Sequence, residues 1–287
     1  MTTADESQWD SWYKDFDENY SPQKRRQWYS AAAEAYQWAR PRYPEALVAK
    51  VIRQAELNAG DSVLEIGCGP GIATQAFAQQ GLNMQCVEPS PAACELARQA
   101  CSPFAQVTVS NTTFEEFPLD GKRYDAVLAA TSFHWVSPAV AYQKSAAALK
   151  LGGSLILLWA TPPQPREDIC KHLQPIYERY QLSDKIRYQW RQQPDYQANF
   201  EDFASRVGNS QWFEPAAVEM VTSHSTYSIE KYLALLSTLS DYIALPEETR
   251  INLMADLAAR LQDLQGETPL SLTHWFGAQV SPLVAMA

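Results

Sequence analysis

The chain has 287 residues, enough for one large domain or for a domain with a modest accessory unit. Hydrophobic residues make up 46% and aromatic residues 11%, so a sizeable core can form and a disordered chain is excluded. A formal charge of −10 removes the basic footprint that nucleic acid or an anionic membrane needs, and the short run Lys24, Arg25, Arg26 reads as a solvated helix face.

In chain order, the first twenty residues are acidic and polar, unlike a signal peptide, although Trp9, Trp12, Tyr13 and Phe16 could fold over a site. No stretch approaches the ~20 apolar residues of a membrane span, so a soluble, cytoplasmic chain is expected. Residues 26–40 have helical periodicity, with Tyr29, Ala33, Tyr36 and Arg40 on one stripe. The prolines of RPRYP (40–44) break that helix, and a second is expected over 44–57. Five short apolar runs follow, at 62–66, 84–88, 106–110, 124–130 and 154–160, separated by helical stretches that begin near Gly71, Pro91 and Pro138. Such alternation builds βαβ units, and hence a doubly wound, mostly parallel α/β sheet. Beyond TPPQP (161–165) a polar, aromatic-rich stretch reads helical to about Arg206. A strand is expected at 217–227, helices at 229–243 and 246–265, and a last strand at 270–278. These late helices should pack beside the α/β core as a lid.

The chemistry concentrates in VLEIGCGPGIATQAF (63–77). A strand ending in Glu65 runs into Gly67, Gly69 and Gly71, a turn in which the backbone bends sharply and a ligand approaches without Cβ interference. At the carboxyl edge of a parallel sheet, this is where open α/β folds bind nucleotides. The second strand ends at Glu88, whose carboxylate can accept both hydroxyl hydrogens of a ribose. A dinucleotide fingerprint wants its third glycine at position 72, where this chain has Ile72. Glu65 adds negative charge beside the loop, which suits a cation and opposes a pyrophosphate. S-adenosylmethionine carries a sulfonium, an ammonium and a ribose but no phosphate, and fits better.

The residues EIGCGPG, VEPS, FEEFPL and YDAVLAATSFHWV together resemble the class I S-adenosylmethionine-dependent methyltransferases over about residues 36–160. RPRYP and SFHWV are most similar to the small-molecule branch that includes the trans-aconitate and ubiquinone-pathway enzymes. The resemblance implies a Rossmann-like sheet of seven strands with a helical lid, in one domain over 1–287. Within it, 1–40 would be an N-terminal helical lid segment, 41–160 the cofactor-binding core, and 161–287 a helical substrate cap plus the last two strands. It also implies that Glu65 and the loop Gly67, Cys68, Gly69, Gly71 contact the methionine moiety. Glu88 would hold the ribose, and Pro89 or Ser90 would edge the adenine. Thr113 and Phe114 stand where the family often has an acidic-small pair on the adenine, so that contact falls to the Thr113 hydroxyl or to backbone. Ala130 and Thr131 would flank the sulfonium. Asp125 reads as structural, and Cys68 as a small filler within the loop.

His134 lies just past the fourth strand, where acceptor and methyl group should meet. It is a candidate general base, with substrate contact and packing as alternatives. Trp135 is a pocket wall or a core residue. Tyr36 is a candidate substrate contact, and Arg40 a partner for a carboxylate of cofactor or substrate, against the plainer reading of an interhelical contact. Thr238, Ser240 and Tyr242 could line the lid. His172, His224 and His274 show no metal-ligand spacing, and five cysteines (Cys68, Cys86, Cys94, Cys101, Cys170) without C-x-x-C read as reduced thiols, so no metal is expected. The fourth strand lacks the Asn/Asp-Pro-Pro-Tyr/Phe motif, which together with the acidic charge sets DNA and RNA methylation aside in favour of a small-molecule acceptor. Two rival readings stay open. One is a nicotinamide-dependent oxidoreductase, for which Tyr227 and Lys231 have Tyr-x-x-x-Lys spacing. The other is a cofactor-binding fold that serves as an interaction module.

Overall fold

The computed structural model describes residue 13 and residues 21–28, 30–121, 123–182 and 190–285. Trp9, Trp12, Phe16 and Tyr29 lie outside the described residues.

The first described helix, α1 (Pro22–Trp28), leads through a 3-10 turn into α2 (Ala33–Ala39), and α3 (Glu45–Gln54) follows the proline segment. The single helix expected over 26–40 is thus divided, although Ala33, Tyr36 and Arg40 still reach a common cavity. The core then runs β1 (Ser62–Ile66), α4 (Ile72–Ala78), β2 (Asn83–Glu88), α5 (Pro91–Ala100), β3 (Val107–Asn111), β4 (Tyr124–Ala130), α6 (Pro138–Ala148) and β5 (Leu149–Ala160). All five strands are parallel, in the spatial order β3-β2-β1-β4-β5. β1 is buried along almost its whole length, which explains why it reads as a continuous apolar run rather than an alternating one.

After β5 come β6 (Gln164–Pro165), α7 (Glu167–Arg179), α8 (Gln193–Gly208), β7 (Glu219–Tyr227), α9 (Ile229–Ser237), α10 (Ser240–Ile243), α11 (Glu247–Gln265) and β8 (Leu270–Pro282). β8 is antiparallel to β5 through residues 276–282 and to β7 through residues 270–278. Its first half also pairs with the two-residue β6, so the described sheet has eight strands where seven were expected. The strand expected at 270–278 runs on to Pro282 because its residues 279–282 pair with Leu157, Ile156, Leu155 and Ser154 of β5.

Two apolar layers sandwich the sheet. Leu64, Ile66, Val127 and Leu157 pack against Phe203 and Val207 of α8, whereas Val63, Leu128 and Leu158 face Leu47, Val51 and Phe77 of α3 and α4. A third cluster holds the cap together, with Leu173 (α7), Leu235 (α9) and Leu253 and Leu257 (α11) fully buried or nearly so. The helix expected over 229–243 breaks at Thr238, whose carbonyl and hydroxyl both accept from Arg40. That guanidinium satisfies a carbonyl left unpaired at the end of α9 and ties the cap to α2.

Candidate active site

The site lies over the carboxyl ends of β1, β2 and β4, where the sheet order changes direction. The chain leaves β1 through Gly67 (φ +63°), Gly69 (φ +53°) and Gly71 (φ +84°) before α4 begins. At Gly67 an added Cβ would come within 2.8 Å of Ser132 Cβ, so glycine is required both by conformation and by packing. Ser132 closes the loop from the β4 side by donating to the Ile66 carbonyl. The loop is therefore wedged between two strand ends.

Two acids sit beneath it. Glu65 is completely buried; its Oε2 accepts from Thr74 Oγ1 at 2.6 Å, while Oε1 makes no hydrogen bond among the described residues. Burial raises its carboxyl to about 7. Glu88 ends β2, and its two oxygens accept the Gly69 N–H (2.9 Å) and the Ser90 N–H (2.8 Å). Burial raises it to about 7 as well, against those two amides. Each Glu88 oxygen keeps a second lone pair, and the residue lines the main cavity.

The main cavity, of about 260 Å³, runs from Gly67, Gly69, Glu88, Pro89, Thr113 and Phe114 past Ala130, Thr131 and His134 towards α8. A smaller cavity of about 40 Å³ adjoins it beside Glu65, Arg40, Tyr43 and Cys68. Of the residues singled out from sequence, Tyr36, Trp135 and Ser240 also line the main cavity. Gly71 lines neither cavity and serves as the left-handed start of α4. Ser90 likewise lines neither; its hydroxyl caps α5 through the Ala93 N–H and meets Ser30 Oγ at 2.9 Å. The Thr113 hydroxyl is committed to Glu116, donating to its carboxylate at 3.0 Å and accepting its N–H, while Glu116 pairs with Arg26 of α1.

Arg40 gives Nε and Nη2 to Thr238 and lies 4.7 Å over the Tyr36 ring, so the interhelical contact accounts for it within this structure. Thr238 thereby holds Arg40 instead of facing the cavity, and Tyr242 is buried in the cap with its hydroxyl 2.7 Å from that of Tyr177. Asp125 accepts from the Ser62 N–H and from Lys150, a structural arrangement. The Cys68 thiol is pushed well above its ordinary value by its hydrogen bond with Cys86 and by burial, which makes it inert. Tyr227 and Lys231 do not form a catalytic pair: the ammonium lies over the tyrosine ring at 4.4 Å, and the hydroxyl donates to the Ala39 carbonyl.

His134 is stacked on Trp159, with ring centroids 5.6 Å apart, and tilted against Trp135. Burial lowers its pKa to about 3, which leaves the imidazole neutral near pH 7 and favours the substrate-contact and packing readings over that of a near-neutral base.

Thr131 was singled out from the sequence, but its conformation and several other lining residues were not. Thr131 holds a left-handed backbone (φ +57°), fixed by Tyr43 Oη at 3.0 Å, by the Ala160 N–H and by its own N–H to the Leu158 carbonyl. A non-glycine residue in that conformation is strain stored at the end of β4. Tyr43 belongs to RPRYP, but nothing in one sequence says where its hydroxyl goes. Trp159, Arg191, Tyr196, Asn199 and Phe200 form the far wall, and they come from segments read only as apolar or polar.

The strand order, the glycine turn and the two acids at the strand ends belong to an α/β domain of Rossmann-like fold. Residues 63–153 match the family model described as a methyltransferase domain. The chain is similar to an uncharacterized methyltransferase of Mycobacterium tuberculosis, at 35% identity over 133 residues, covering 46% of this chain and 52% of the relative. It is also similar to the demethylmenaquinone methyltransferase of Tropheryma whipplei, at 29% over 125 residues, covering 43% and 49%. The chain thus spans about half the length of these curated relatives. A provisionally named type II methyltransferase structure from Anaeromyxobacter dehalogenans shares the fold, with a TM-score of 0.61 at 20% identity, covering 84% of this chain and 97% of that one.

Proposed function

We propose that this chain binds S-adenosylmethionine and transfers its methyl group to a small-molecule acceptor. The observation that carries this is Glu65 Oε1, a buried and unpartnered carboxylate oxygen on a small cavity beside a glycine turn. A buried carboxylate oxygen without a partner is costly, and an ammonium group would satisfy it. Glu88 offers its free lone pairs to a ribose, while the Gly67 and Gly69 N–H groups are held by the Val87 carbonyl and by Glu88 and fix the loop. Pro89 and Phe114 supply an apolar edge for the adenine, whose polar contacts fall to backbone because the Thr113 hydroxyl is engaged. Ala130 and Thr131 border both cavities, where the methyl-bearing atom would sit.

The bound cofactor would supply an electrophilic methyl group on a sulfonium. The protein's own share is alignment and exclusion of water. The strained Thr131 carries the β4 end into place, and Trp135 and Trp159 close the cavity around the acceptor. No metal or protein nucleophile is needed for an in-line displacement. The curated relative named for demethylmenaquinone methylation supports a small organic acceptor, as does the acidic surface.

Calorimetric titration with S-adenosylhomocysteine on wild type and Glu88→Ala tests the reading. Saturable binding to wild type that collapses in a variant of unchanged circular dichroism is expected. Absence of binding to wild type rejects the proposal.

A further inference from the structure

Arg191 stands in the segment that enters α8, one residue before the Gln192 cap. The buried Gln164 side chain of β6 clamps its backbone at two points: the Arg191 N–H donates to Gln164 Oε1 at 3.0 Å, and Gln164 Nε2 donates to the Arg191 carbonyl at 2.5 Å. The guanidinium lies 5.0 Å over the Tyr196 ring, which packs in turn against Trp275. Backbone and side chain are thus both held, and the residue lines the main cavity.

Its charge has no counterpart there. Among the described residues no carboxylate pairs with Arg191, whereas the other arginine on the cavity wall, Arg40, is committed to Thr238. A half-buried guanidinium gains most when an anion arrives to pair with it. The acids that line the cavity, Glu88 and Glu115, follow β2 and β3, whereas Arg191 is bonded to β6 at the opposite edge of the sheet. His134, between them, is neutral. The cavity therefore carries Glu88 and Glu115 towards one edge of the sheet and the Arg191 guanidinium towards the other, with Arg40 on the shared wall of the two cavities.

On the reading given under Proposed function, we propose that Arg191 is the anion-recognition residue of the acceptor site. The acceptor is then a small carboxylic acid whose apolar body lies against the Trp159–Phe200 stack. One planar guanidinium matches the two oxygens of a monoanionic carboxylate, while a phosphate dianion would call for more cations than Arg191 alone supplies.

The test uses the full chain saturated with S-adenosylhomocysteine and titrated with 3-phenylpropionate, benzoate and octanoate. Their neutral amides and phenyl phosphate serve as comparisons. At least one acid should bind on the order of 10-fold or more tightly than its amide. Arg191→Gln should abolish that preference and Arg191→Lys retain part of it, both with unaltered S-adenosylhomocysteine affinity. Loss of S-adenosylhomocysteine binding by the wild type would reject the cofactor reading instead. If that binding is intact, three results overturn the role of Arg191: no acid binds, the acid preference survives in Arg191→Gln, or phenyl phosphate alone binds.

Discussion

Glu65 illustrates a residue whose stability and function pull in opposite directions. With its carboxyl raised to about 7 by burial, the native state holds a proton that the unfolded chain releases near 4.5. The sign follows: between those values the native state binds more protons, so stability falls as pH rises through the window and is lowest above 7. Glu65→Gln should therefore raise the melting temperature of the ligand-free protein at pH 8, by an amount equivalent to on the order of 2–3 kcal/mol. It should also weaken S-adenosylhomocysteine at least 10-fold, because the ammonium loses its charged partner. Calorimetry at pH 8 reads both, and a variant that is stabilised yet binds normally would remove Glu65 from the proposed site. Ligand binding should also release a proton below pH 7, so wild-type affinity should fall as pH drops from 7 to 5.5, and the variant should lose the part of that slope that Glu65 contributes beside Glu88. His134 makes the complementary case. Neutral above pH ~4, it leaves no inflection near 6.5 in the rate profile. An acid limb in that region is expected to shrink in Glu65→Gln, Glu88 keeping the remainder, and to persist unchanged in His134→Gln; its loss in His134→Gln would restore the histidine as the titrating base.

At the scale of elements, the glycine turn, β1, β2 and β4 were legible because each obeys a local rule: an apolar run, a glycine triplet, an acid near the ends of β1 and β2. Gly67 is where the rule is sharpest. Gly67→Ala forces a left-handed alanine and drives its Cβ to 2.8 Å from Ser132, with an expected cost of roughly 2–4 kcal/mol in stability. Denaturant melts and ligand titration should show the variant less stable and devoid of cofactor binding. A variant that kept both would mean the loop can relax away from Ser132. What the sequence hid was set by partners remote in the chain. The break at Thr238 comes from Arg40, 198 residues away, and the extra length of β8 comes from the edge that β5 presents. The Thr113 hydroxyl is diverted by Glu116 and Arg26, a local capping contact coupled to a distant helix. Periodicity carries no information about such pairings. The α8 wall of the cavity was invisible for the same reason: Tyr196 and Phe200 repeat at helical spacing and read equally well as core.

The whole molecule carries a charge of −10 around a cavity with Glu88 and Glu115 towards one edge of the sheet and Arg191 towards the other. This field acts oppositely on the two ligands proposed. S-adenosylmethionine, with a net charge of +1, is drawn in by the long-range potential, whereas a carboxylate acceptor is repelled until it comes within reach of Arg191. Raising ionic strength from about 0.01 M to 0.15 M shortens the screening length from ~30 Å to ~8 Å, which removes the distant contributions and leaves contacts inside the cavity nearly intact. The association rate of the cofactor should then fall while that of the acceptor rises, each on the order of 2–3-fold, and the dissociation rates should change little. Stopped-flow fluorescence of the cavity tryptophans, with S-adenosylmethionine and a carboxylate acceptor followed separately, measures both. Arg191→Gln should leave the sign of the acceptor's salt response unchanged, since that response belongs to the net charge, and should raise its dissociation rate. Responses of the same sign for both ligands would show that the net charge of the molecule does not set the carboxylate's approach to the cavity.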